Sequence, residues 1–190
     1  MGTVAVRRWT RQQYEKMVEG GIFPPGERAE LIDGEILAMT PQGSAHATAV
    51  RLTEEALRSA FGPGCDVRVQ MPLALDPSSE PEPDVTVVPG SPRDYRDAHP
   101  ASALLVVEVA DTTLSYDRAQ KGSLYARAGL REFWVVNLLD RRLEVHRDPI
   151  RQADGHYGWG YRTVEHYASG DSLFPLAAPQ SRVAVADLLP

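Results

Sequence analysis

The chain has 190 residues, 43% hydrophobic and 24% charged, which suits one globular domain spanning 1–190 and argues against wholesale disorder. The net charge of −6 counts against a protein that coats nucleic acid without specificity, because such binding rests on neutralising many phosphates. No apolar run reaches the roughly 18 residues of a membrane helix; the longest, 103–107, ends at Glu108, and the N-terminus is polar by residue 7, so a cytoplasmic protein with no membrane partner is expected.

Thr10 followed by Gln13 predicts a capping box, with Tyr14, Met17 and Val18 as the apolar stripe of a helix that stops at Gly20-Gly21. Asp33-Gly34 between two apolar pairs in 30–37 predicts a hairpin, since a type I′ turn needs positive φ at both central residues. Residues 43–61 read as a helix with His46, Val50, Thr53 and Leu57 on one face, ended by Gly62-Pro63-Gly64. Val67, Val69, Met71, Leu73 and Leu75 alternate and predict a half-buried strand, with Pro72 at an edge or a bulge. A proline-rich loop, 77–83, leads into a short strand over 84–88, and 89–100 reads as a polar loop or short helix.

Residues 104–109 are apolar apart from Glu108, which suits a central strand covered on both faces. A helix is predicted over 117–128, with Asp117 as its cap and Gly129 as its stop. Strands follow at 132–138, 143–146, 160–166, 173–174 and 183–185. The expected fold is α/β, a mixed sheet flanked by helices.

Glu108 is the most informative residue. A charge inside an apolar strand is costly to bury unless it is paired or bound to a metal, and buried acids gather at active sites. A salt bridge to an arginine, or a strand end in solvent, are the competing readings. Asp84 gains meaning if the strands at 84–88 and 104–109 are neighbours, because two carboxylates then converge, the donor set a hard divalent ion prefers. Lys121 is one of only two lysines among 20 basic residues, in a chain that otherwise uses arginine. Its helix starts near the C-terminal end of the 104–109 strand, and its side chain leans back toward the helix N-terminus, so it can reach Glu108. A lysine snorkelling along an apolar face is the competing reading.

His46 reads as a core or site-edge histidine; His99, His146, His156 and His166 show no ligand spacing. Asp117 can also pair with Lys121 at i+4. Arg127, Arg131, Arg141, Arg142, Arg147 and Arg151 form either a phosphate-lining strip or a solvated basic surface. Tyr125 is read as a packing residue. Cys65 is the lone cysteine, so there is no intrachain disulfide and no cysteine metal site.

The segments RAELIDGEI (28–36), EPDVTVV (82–88), the run from Leu104 to Asn137 and DSLFPLAAPQSRVAVADLL (171–189) together resemble the Uma family of restriction-endonuclease-like proteins, in the PD-(D/E)XK nuclease superfamily. The resemblance runs from about Thr10 to the end of the chain. It implies a restriction-endonuclease-like core, DNA as substrate, Mg²⁺ or Mn²⁺ as cofactor and a homodimer. It also implies that Asp84 and Glu108, with the backbone carbonyl of Val109, hold the metal, that Lys121 acts on the attacking water, and that Glu30 completes the set. His46 is a supporting candidate on the same basis. The simplest superfamily pattern has lysine two residues after the second acid; here that position is Ala110, and Lys121 resembles a variant in which the lysine has moved to the next helix. The rival reading is a nuclease-fold protein with a weak or silent site that serves in binding or assembly; hydrolysis of some other phosphodiester is a third.

Overall fold

A computed structural model describes residues 6–190; residues 1–5, part of the polar N-terminal stretch considered above, lie outside the described residues. Helix α1 (Arg11–Glu19) opens on the predicted capping box: the Thr10 hydroxyl accepts from the Gln13 amide, and the Gln13 side chain accepts from the Thr10 amide. Strands β1 (Ala29–Ile32) and β2 (Glu35–Ala38) form the predicted hairpin. Its turn has φ of 48° at Asp33 and 82° at Gly34, and a Cβ at Gly34 would meet that of Arg8 at 2.6 Å, so glycine is required there. Helix α2 (Ser44–Phe61) follows.

A six-stranded mixed sheet carries the rest. Its strands are β3 (Cys65–Val69), β4 (Val85–Pro89), β5 (Leu105–Ala110), β6 (Glu132–Asn137), β7 (Arg142–Arg151) and β8 (Trp159–Ala168), in that spatial order. All neighbours are antiparallel except β5 and β6, which are parallel and need a crossover. The crossover is helix α3 (114–127): α-helical over Leu114–Tyr116, a π-helical turn over Asp117–Lys121, and α-helical again over Gly122–Arg127. The short pair β9 (Ser172–Leu173) and β10 (Val183–Ala184) closes the chain.

Strand parity sorts the core into two layers. Leu105, Val107 and Val109 face α2 and the C-terminal segment, packing with Val50, Leu57, Val85, Val87 and Leu188. Val106 and Ala110 face the other way, toward Tyr125 and Ala126 of α3 and Phe133 of β6. Glu108 shares the parity of Val106 and Ala110. The register fixes its partner as well: Val85 lies opposite Val107, which brings Asp84 opposite Glu108.

Two expectations are corrected. The strand predicted over 67–75 ends at Val69, because Gln70 takes φ of 51° and the chain turns away; Leu73 then bonds Pro81 instead of continuing the ladder. Pro72 therefore lies past the end of β3, an edge strand. Asp117 does not cap its helix. The helix begins at Leu114, and Asp117 lies within it, taking a hydrogen bond of 2.6 Å from the Thr113 hydroxyl.

Candidate active site

Asp84, Glu108, Lys121 and Glu30 come together where β4 begins beside the C-terminal part of β5, each almost fully buried. Lys121 Nζ lies 3.1 Å from Glu108 Oε1 and 3.3 Å from Glu30 Oε2. The competing reading of a snorkelling lysine is thereby set aside: the ammonium points inward, onto two carboxylates. Asp117, by contrast, is occupied by Thr113, and the i+4 ion pair with Lys121 is not formed among the described residues.

Each acid is held. Asp84 Oδ2 accepts from the Val109 amide at 2.9 Å and lies 3.2 Å from His46 Nε2, while its Oδ1 accepts from Gln70 Nε2 at 3.0 Å. The Asp84 amide donates to Glu108 Oε2 at 3.4 Å. Glu30 Oε2 accepts from the Glu82 amide at 3.1 Å. The hairpin that carries Glu30 is tied to α3 by Arg127, which bonds Asp33 at 2.7 Å and Asp76 at 3.0 Å.

The electrostatics follow from burial and crowding. Burial pushes Asp84 up, but His46, the Val109 amide and Lys121 outweigh it and hold the carboxyl below its usual range. Burial pushes Glu108 up; Lys121 draws it down, and Asp84, Asp117 and Glu30 push it up again, so it stays raised. Burial and the surrounding acids also push Asp117 up to about 6, against the pull of Lys121 and the Thr113 bond. Burial pulls Lys121 down, yet four acids hold its ammonium well above the usual value. His46 is drawn down by burial and raised, on balance, by Asp84.

These residues line a cavity of about 560 Å³, together with residues 37–43, Asp111, Thr112, Thr113 and Tyr116. Val109 also lines it, so the amide that fixes Asp84 belongs to the cavity wall. None of the six arginines proposed as a phosphate strip lines it. Arg127, Arg142 and Arg147 are instead engaged with acids of the chain, at Asp33 and Asp76, at Asp140 and Glu144, and at Glu132.

One residue read as packing belongs to the site. Tyr125 donates its hydroxyl to Glu108 Oε1 at 2.5 Å, on the oxygen that also meets Lys121. The signal was present: Tyr125 is four residues beyond Lys121, on the same helix face.

The sequence model of the Uma2 family, described as "Putative restriction endonuclease", matches residues 11–186. The chain belongs to this family. A solved structure titled as "a putative nuclease belonging to DUF820 from Anabaena variabilis" superimposes on this Uma2 chain with a TM-score of 0.67, covering 94% of this chain and 96% of that one at 15% sequence identity. At that identity the likeness speaks for the fold: the Uma2 chain has the mixed sheet with flanking helices expected of a restriction-endonuclease-like core. No curated protein matches the chain.

Proposed function

We propose that this Uma2-family chain is a metal-dependent endonuclease that hydrolyses DNA phosphodiester bonds. The observation that carries the reading is the buried meeting of Asp84, Glu108 and Glu30 around Lys121 on the wall of a cavity. Burial and the crowding of three acids on one ammonium hold Glu108 raised, and a bound cation would relieve that crowding. Among the described residues no set of three or more His, Cys, Asp or Glu side chains forms a metal cage. The donors on offer are two adjacent carboxylates, which matches Mg²⁺ or Mn²⁺, ions that bind one or two carboxylates and keep several waters. Asp84 and Glu108 would hold the ion with the Val109 carbonyl, and Glu30 would complete its surroundings directly or through water.

When bound, such an ion polarises the phosphate and lowers the pKa of a water. The chain's own residues do the rest. Lys121 would orient the attacking water and offset the charge that develops on the phosphate. Glu108 and Glu30 hold the ammonium inward, and the Val109 amide, Gln70 and His46 fix Asp84. One domain is supported by the shared core of α2, the sheet and the C-terminal segment. A cytoplasmic setting goes with this reading, and a homodimer is supported by the family resemblance; light scattering at twice 20.9 kDa tests the latter.

The test is cleavage of supercoiled plasmid with Mn²⁺ by the wild type and by Lys121→Ala. The expected result is cleavage by the wild type and a loss of about 100-fold or more in the variant. Activity that survives intact in Lys121→Ala removes the lysine from the mechanism. A wild type that binds Mn²⁺ and never cleaves favours the silent binding module.

A further inference from the structure

A second cavity, of about 460 Å³, lies between α1, the stretch around Pro72 and Ala74, Glu80, Glu82 and the loop 95–99. Its walls are partly apolar, from Tyr14, Val18 and Pro72, and its charge is mostly acidic. Much of that charge has a partner: Glu82 meets Arg28 at 2.6 Å and Asp97 meets Arg96 at 3.0 Å. Glu80 does not share in this. It is 5% exposed, and its Oε2 has no hydrogen-bond partner among the described residues. Arg11, the neighbouring cation, is turned to Glu15 at 3.6 Å and to the Ala74 carbonyl at 3.3 Å. The backbone of Glu80 is pinned by bonds of 2.7 and 3.2 Å with Leu31, which fixes where its side chain leaves the main chain.

A buried carboxylate without a partner is costly, and the cost is relieved by an N–H donor that carries positive charge. Burial, with Glu15 alongside, pushes the Glu80 carboxyl up to about 7. His99, on the same wall, is held below its usual pKa by burial and Arg68, so it supplies no cation at neutral pH. The volume lies within the roughly 300–1,000 Å³ of small-molecule sites, and half-apolar walls suit a carbon chain better than a bare ion. No three-donor metal set is formed among the described residues.

We propose that this cavity binds a small organic cation, an alkylammonium whose N–H groups reach the Glu80 carboxylate while its carbon chain lies along Tyr14 and Val18. The site is separate from the cluster at Asp84 and Glu108, although Glu82 lines both cavities. Its bland competitor is a proton shared between Glu80 and Glu15, which would satisfy the pair without any ligand.

The test is calorimetry and thermal unfolding of the full chain with putrescine as the probe and Mg²⁺ alone as the second arm. The wild type is expected to bind putrescine and unfold at higher temperature with it. Glu80→Gln is expected to bind about tenfold to a hundredfold more weakly, the loss of one charge-assisted hydrogen bond. Val18→Trp fills the cavity from a position that is 52% exposed and so tolerates bulk; it should bind weakly too. Asp84→Ala should bind as the wild type does, which keeps this result distinct from that of the proposed nuclease site. No putrescine binding by the wild type overturns the proposal, as does binding unchanged in Glu80→Gln and Val18→Trp. A Glu80-dependent response to Mg²⁺ with putrescine inert overturns the organic ligand.

Discussion

Lys121→Met keeps the length and the apolar stem of the side chain and removes only the ammonium. That ammonium stands 3.1 Å from Glu108 and 3.3 Å from Glu30, and all three residues are buried. Removing one partner of a buried ion pair leaves the others uncompensated and costs about 3–5 kcal/mol, a large share of the roughly 5–15 kcal/mol that keeps a domain folded. The cost depends on pH. Burial already raises Glu108 above its ordinary 4.5, and Lys121 is the main influence drawing it down, so the variant's Glu108 rises further. An acid raised in the folded state contributes stability that is full below its unfolded pKa and is lost as pH rises through the folded one. Glu108 is raised to about 8 in the wild type, so the missing cation is felt in full above that value, and the variant should be destabilised by about 3–5 kcal/mol near pH 10. Near pH 5, where Glu108 takes up a proton, roughly 1–2 kcal/mol of missing hydrogen bonds should remain. Urea unfolding followed by tryptophan fluorescence measures both, with Trp134 fully buried as a reporter. A loss equal at the two pH values, or below about 1 kcal/mol near pH 10, refutes the reasoning.

Two further outcomes are expected. Tyr125→Phe keeps the ring against Phe133, at 5.1 Å between centroids, and removes the hydroxyl on Glu108; Mn²⁺ affinity by calorimetry should weaken about tenfold, and unchanged affinity takes Tyr125 out of the site. His146 sits between Phe133 and Tyr161, at 5.2 and 5.8 Å, and burial lowers its pKa from 6.5 to about 4. A histidine depressed in the folded state contributes stability that is present above pH 6.5 and lost as pH falls through about 4, a swing of about 3 kcal/mol. His146→Phe should remove that swing; urea midpoints of the two proteins that fall in parallel with acid would contradict it.

What the sequence showed and what it hid have physical reasons. The capping box at Thr10 and the Asp33-Gly34 turn are local, so their chemistry is written in adjacent residues, and both formed as expected. Glu108 was legible because a charge in an apolar strand stands out, and the β4–β5 register then delivered Asp84 beside it. The alternation from Val67 to Leu75 overstated β3 because Leu73 and Leu75 keep the period of a strand while packing elsewhere, beyond the turn at Gln70. Asp117 looked like a cap because a π-helical turn, with the Gly122 amide bonding the Asp117 carbonyl, leaves no mark in residue spacing. Tyr125 shares the helix face of Lys121, but a tyrosine on a buried stripe reads equally as packing until its hydroxyl is seen against Glu108. Of the six arginines, Arg127, Arg142 and Arg147 are drawn into ion pairs with Asp33, Asp76, Glu132 and Glu144, a matter of tertiary contact that composition does not reveal.

The central claim is that Asp84 and Glu108 hold a divalent ion. Calorimetric titration of Mn²⁺ into the wild type and into Asp84→Ala tests it most directly. The account predicts binding by the wild type and its loss in Asp84→Ala with the fold intact. Absence of Mn²⁺ binding in a folded wild type, or equal binding by both proteins, contradicts it.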